Sequence, residues 1–217
     1  MPEVPDRLLA DLPRTALAAV VLLAVSGLFD LRKVAHMTKV SRVDLLHAAT
    51  AFAGVLLLGI LQGILLAALV SVLQLLFRYC APHVAYLGRI PGTRQFSDLL
   101  HHPENESLAD TVAFRPEASL LYLNVDHVLA NVQTRLEAAV PGTIRIVVCD
   151  LSASPRMDLA GAAMLGELHR RLKAVGARLV IVDALSPVRD LLRAEGLSYS
   201  IDGVSSRLTL TDVLGQR

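Results

Sequence analysis

Residues 48–77 run without a single formal charge, and a polar segment with alternating strand and helix patterns follows them to the end of the chain. A water-soluble domain has little use for so long an uncharged run, whereas a lipid-embedded segment requires one. The chain therefore reads as a membrane region, 1–82, followed by a separate domain, 83–217. One straight helix over the run would measure about 45 Å and would need a tilt of about 48° to fit a hydrocarbon core of about 30 Å, beyond the usual limit of about 40°. Gly59 and Gly63, on either side of Gln62, offer a break. Two short helices follow, 43–58 and 62–79, with one strongly tilted helix as the alternative. A third apolar segment, 15–29, begins just after Pro13. At about 22 Å it is short for the same core, and a buried helix of a soluble protein is its competing reading.

Charge placement gives an orientation. Arg32, Lys33, Lys39 and Arg42 crowd the connection between the first and second segments, while Arg78, Arg89 and Arg94 follow the third. The positive-inside rule assigns both sites to the cytoplasm, and a hairpin returns the chain to the side it left. The expectation is an integral membrane protein with a cytoplasmic carboxy-terminal domain. Its amino terminus would lie outside, against which Arg7 and Arg14 weigh. No secretory signal pattern precedes the first apolar run. No Asp, Glu, Lys or Arg lies deep in these segments, so the usual markers of an ion path are missing. Gly54, Gly59 and Gly63 suit either close helix contact or turns.

A formal charge of +1 gives no global basic field, and the absence of Trp removes the best stacking platform, which together exclude nucleic acid as an expected partner. Cys80 and Cys149 are too far apart and too few for a disulfide framework or a metal site.

In the second region residues 83–90 read as a strand stopped by Pro91 and Gly92, and 95–110 as a polar loop or short helical turn. Strands are expected at 111–114 and 120–123, and a helix from Asn124 as cap through Val140, with Val125, Val128, Leu129, Val132 and Leu136 as its apolar stripe. The run 143–151 is the strongest strand, and its continuous apolar character suits a central position covered on both faces. A helix over 158–175, a strand at 177–182, and a helix from Ser186 as cap with Pro187 at its first position to near Gly196 complete the pattern. A last short helix follows Leu210. Strand–helix alternation implies a mainly parallel sheet with right-handed crossovers.

The stretches VVCDLSASPRMDLAGAAMLGELHRRL and GARLVIVDALSPVRDLLRAEGL resemble a STAS domain (sulfate transporter and anti-sigma factor antagonist). The marks are a strand ending in Asp150, a loop, a D-x-x-G turn and an amphipathic helix. The upstream block, LFDLRKVAHMTKVSRVDLLHAATAFAGVLLLGILQGILLAALVSVLQLLFR and then PHVAYLGRIPGTRQFSD, resembles the last three membrane segments and linker of sulfate permease (SulP) family anion transporters. The resemblance implies an all-α transmembrane segment followed by an α/β STAS domain. It also implies that the substrate-binding elements, which belong to earlier segments in that family, match nothing in this sequence, so a truncated or split transporter is expected.

In soluble STAS proteins the turn carries a phosphorylatable hydroxyl at its third position. The matching tetrad here is Asp158, Leu159, Ala160 and Gly161, and alanine has no oxygen to modify. The phosphoswitch is therefore expected to be absent, with Asp158 a helix cap. Ser152 and Ser154 lie close by but occupy other places. His101 and His102 with Glu104 and Glu106 suggest a metal, yet consecutive histidines point apart and a solvated loop is the expected reading. Asp150 and Asp183 at strand ends suit turn and cap roles. No nucleophile–base set or phosphate-cradling loop is present, so neither enzymatic activity nor a cofactor is expected. Two functions remain: the C-terminal part of an anion transporter, or a membrane-tethered STAS regulator that binds a protein partner and transports nothing. Expected partners are the lipid bilayer and a companion transporter chain or second copy.

Overall fold

The computed structural model describes residues 14–26, 42–140, 142–204 and 208–214. The chain divides into two compact units, Met1–Leu73 and Gln74–Arg217.

The first unit is helical. Helix α1 (Arg14–Ser26) covers most of the first expected segment, whose last three positions lie outside the described residues. Helices α2 (Arg42–Leu58) and α3 (Ile60–Cys80) flank Gly59, whose φ of +92° is open to glycine and strained for other residues. Nine positions along a straight helix cover about 13.5 Å. A Cβ placed on Gly54 would nevertheless lie 3.3 Å from the Cα of Gly63, so the chain reverses at Gly59. This settles the choice between a hairpin and one long helix, and it separates the glycines by role. Gly59 makes the turn, while Gly54 and Gly63 allow the backbones to touch. Gly63 belongs to α3 rather than to the break. Helix α3 is long and apolar enough to cross a membrane, and 15–26 and 45–58 are shorter apolar helices. Leu22, Leu57, Ile60 and Phe77 are among the large side chains left exposed.

The second unit is built on a five-stranded sheet of order β2-β1-β3-β4-β5. The strands are β1 (Val84–Arg89), β2 (Phe96–Asp98), β3 (Thr111–Pro116), β4 (Ile146–Asp150) and β5 (Arg178–Val182). Helix α4 (Val125–Glu137) links β3 to β4 and α5 (Leu159–Ala174) links β4 to β5, so both pairs run parallel. No helix separates β1 from β2 or from β3, and both of these pairs are antiparallel. The sheet is thus mixed rather than mainly parallel. After β5 come α6 (Ser186–Ala194), a 3-10 turn (Leu197–Tyr199) and α7 (Leu210–Leu214).

Strand β4 is buried throughout. Its Val147 and Cys149, with Leu179 and Ile181 of β5, join a core with Val128 and Val132 of α4, Leu165 and Leu168 of α5, and Val188 and Leu192 of α6. Ile146, Val148, Val180 and Val182 point the other way, onto Leu210 and Leu214 of α7. Period-two alternation therefore feeds two cores, which is why the strand reads as continuously apolar.

Four local expectations differ from the structure. The polar stretch 95–110 contains β2, whose three residues pair with 87–89 without any apolar alternation of their own. Residues 120–123 form no strand: Leu120 is buried and bridges Met157, while Tyr122 and Leu123 face solvent. Asn124 stands at the α4 cap position, but its Oδ1 accepts the Leu121 N–H at 3.0 Å and its Nδ2 donates to the carbonyls of Ser119 (2.9 Å) and Tyr79 (3.2 Å). It therefore closes the preceding turn instead of capping the helix, which ends at Glu137 rather than Val140. Leu185 occupies the α6 cap, placing Ser186 and Pro187 inside the first turn.

Candidate functional site

The loop between β4 and α5 carries the tetrad. Asp158 takes an extended conformation just ahead of α5, and its Oδ1 accepts the Gly161 N–H at 2.9 Å. Its Oδ2 accepts the Tyr122 N–H at 2.8 Å, and its own N–H donates to the Leu120 carbonyl at 3.2 Å. One carboxylate thus caps the helix and ties its start to the segment before α4. Leu159 faces solvent, and Ala160 packs half-buried against the core. Gly161 is buried where a Cβ would stand 2.7 Å from the Leu120 carbonyl oxygen, so close backbone approach excludes a side chain there.

The flanking polar residues are structurally occupied. Asp150, 1% exposed, receives Arg115 through Nε at 2.8 Å and Nη2 at 2.7 Å, while its Oδ1 accepts the Ser152 N–H at 2.9 Å. Ser154 is fully buried and donates between the carbonyls of Pro116 (3.2 Å) and Ala118 (2.7 Å). Ser152 is exposed. Asp183, at a φ of +52°, accepts the Leu210 N–H at 3.1 Å and so anchors the start of α7. Asp150 and Asp183 therefore have separate turn and cap roles.

The histidine-rich loop also divides. His102 reaches Glu104 at 3.0 Å, whereas His101 reaches Asp98 at 3.0 Å, a residue for which no role is expected from the pattern alone. His83 Nε2 lies 2.8 Å from the same Asp98 oxygen. Burial pushes the Asp98 carboxyl up, but the Leu100 N–H and the two imidazoles outweigh it and hold the carboxyl below its ordinary value.

A mixed sheet with three helices on one face, a short helix on the other and a capped helix start after the buried strand β4 is the architecture of a STAS domain. The STAS domain family matches residues 102–212, and the chain belongs to that family. Similarity continues into the helical part. The chain is 30% identical over 190 residues to the low affinity sulfate transporter 3 of Stylosanthes hamata, a match covering 83% of this chain and 30% of the transporter. It is 28% identical over 219 residues to sulfate transporter 2.1 of Arabidopsis thaliana, covering 96% and 32%. A probable sulfate transporter of Mycobacterium tuberculosis is 30% identical over 190 residues, covering 88% and 34%. The chain thus corresponds to the C-terminal, STAS-bearing portion of SulP-type anion transporters and spans about a third of the length of these relatives. The murine solute carrier 26 family member A9 anion transporter, in an inward-facing state, shares the fold with a TM-score of 0.74 at 16% identity, over 94% of this chain and 33% of that one.

Proposed function

We propose that this chain supplies the last membrane helices, within 1–82, and the cytoplasmic STAS domain, 83–217, of an inorganic anion transporter of the sulfate type. The observation that carries the reading is the similarity to sulfate transporters across the apolar helices and the α/β domain together, reaching 96% of the chain. A free-standing STAS regulator has no need of that linked order.

In this reading the chain is an integral membrane protein whose substrate site is formed by segments other than those described here. Helices α1 to α3 serve as scaffold, contacting lipid and a companion transporter chain or second copy. The STAS domain acts in regulation or assembly by docking. Ala160 offers no hydroxyl at the switch position, and Ser154 has both neighbouring carbonyls as partners, so regulation through 158–161 works by contact rather than by phosphate on that turn.

Native mass spectrometry after gentle membrane extraction, followed by sulfate uptake in liposomes, tests the proposal. A complex containing transporter segments, active only when they are present, is the expected result. Sulfate uptake by this chain alone would overturn the assignment of the substrate site elsewhere. Extraction by carbonate, or capture of a soluble signalling protein with no transporter segment, would overturn the transporter reading.

A further inference from the structure

His83, Asp98 and His101 converge on one carboxylate oxygen. His83 is the third residue after α3, Asp98 closes β2, and His101 lies in the turn that follows. His83 Nε2 stands 2.8 Å and His101 Nδ1 3.0 Å from Asp98 Oδ2, with the rings edge to face at 6.1 Å. The three donor atoms all lie within 4.8 Å of one another.

The backbone carrying these groups is held independently of them. Asp98 pairs with Leu87 across the β1–β2 ladder, and its carbonyl accepts the His102 N–H at 3.0 Å. Its second carboxylate oxygen accepts the Leu100 N–H at 3.0 Å, which aims the first oxygen at the two rings. The His83 carbonyl accepts the Glu117 N–H at 3.0 Å. The Asp98 side chain is 13% exposed, while the rings of His83 and His101 are 37% and 71% exposed, so solvent reaches the convergence point from the imidazole side.

Two imidazole nitrogens and one carboxylate oxygen form a donor set suited to late first-row divalent ions. Such an ion holds each donor at about 2.0–2.2 Å, which in a tetrahedron separates the donors by about 3.3 Å. Reaching that spacing takes about 0.3–0.5 Å of opening at the two Asp98 distances, and the two imidazole nitrogens, which lie within 4.8 Å of each other, close by at most about 1.5 Å through ring rotation. We propose that His83, Asp98 and His101 form a site for a divalent cation of the zinc type, with solvent completing the shell. The ion would clip the start of the segment after α3, at His83, to the loop after β2. The site is independent of whether the chain takes part in anion transport.

The test uses the full chain without a polyhistidine tag, in lipid nanodiscs and stripped of metal. Zn2+ is titrated against a chromophoric chelator, and Co2+ replaces it to report coordination geometry by its visible absorption. One equivalent should bind with a Kd in the range of about 1–100 µM, and His83→Gln, Asp98→Asn and His101→Gln should each weaken it at least about tenfold. His102→Gln and Cys80→Ser should leave it unchanged, and Zn2+ should raise the melting temperature of the unsubstituted chain but not of Asp98→Asn. That comparison reads the ion even if a variant is less stable. Absence of saturable binding below about 100 µM overturns the proposal. So does unaltered binding by Asp98→Asn and His83→Gln, or a loss that follows His102 or Cys80 instead.

Discussion

Gly161→Ala sets two known effects against each other at the start of α5. Alanine inside a helix is favoured over glycine by about 1 kcal/mol, so propensity alone predicts a gain. At this site the new Cβ would stand 2.6 Å from Met157 Cγ, 2.7 Å from the Leu120 carbonyl oxygen and 3.2 Å from Leu120 Cβ. The contact with Met157 is to a flexible side chain, half-buried at the edge of the core, which can change rotamer. The Leu120 carbonyl does not, because it accepts the Asp158 N–H and Leu120 itself is fully buried. Forcing even one methyl into a packed interior costs about 1–3 kcal/mol, and movement of the carbonyl endangers a capping bond as well. The net expectation is a loss of about 1–2 kcal/mol despite the better helix former. Because the chain has no Trp, amide hydrogen exchange in nanodiscs is the suitable assay. Peptides covering α5 and β4 should exchange about tenfold faster for each 1.4 kcal/mol lost. Equal or slower exchange in Gly161→Ala would refute the close-approach account of this glycine.

Two further outcomes follow from the same geometry. Asp158→Ala removes the acceptor for both Gly161 and Tyr122 N–H groups and should cost about 1–2 kcal/mol by the same exchange measurement, with Asp158→Asn recovering part of it. Tyr86 donates to Asn131 Oδ1 at 2.7 Å, and burial raises its phenol to about 12, against the opposing charge of Arg135. A raised folded-state value means that the unfolded chain loses this proton first. The contribution of Tyr86 is therefore complete below about pH 10 and disappears as pH climbs toward 12. Phenolate absorbance should show a late-ionising step, and Tyr86→Phe should abolish it.

What the sequence made legible were elements whose residues carry their own period or cap. The stripe of α4, the apolar run of β4 and the D-x-x-G start of α5 each signal locally. Strand β2 does not, because its existence depends on the register Leu87↔Asp98 to Arg89↔Phe96. The apolar look of 120–123 misleads for the converse reason: Leu120 enters the core, but the backbone has a single bridge to Met157 and no ladder. Asp158 as a cap could be read from spacing alone. The meeting of His83 with Asp98 and His101 could not, since it depends on the β1–β2 turn bringing together residues fifteen positions apart. The adjacent histidines drew attention to Glu104 and Glu106, yet only His102 turns toward Glu104, while His101 turns back to β2.

The helical unit inverts this relation between pattern and structure. Where nearly every side chain is apolar, no face is distinguished from another, and periodicity says little about how helices meet. Glycine then carries the structural information. Gly59 supplies the left-handed backbone that reverses the chain, and Gly54 and Gly63, five residues before it and four after, lie where the two arms first face each other. A Cβ on Gly63 would stand 2.4 Å from the Val55 backbone nitrogen, so even alanine would push the arms apart at the base of the turn. Small residues admit such contact where no hydrophobic drive favours one apolar surface over another. The hairpin is therefore specified by three missing side chains, and the apolar composition around them specifies only the medium in which such a hairpin is stable.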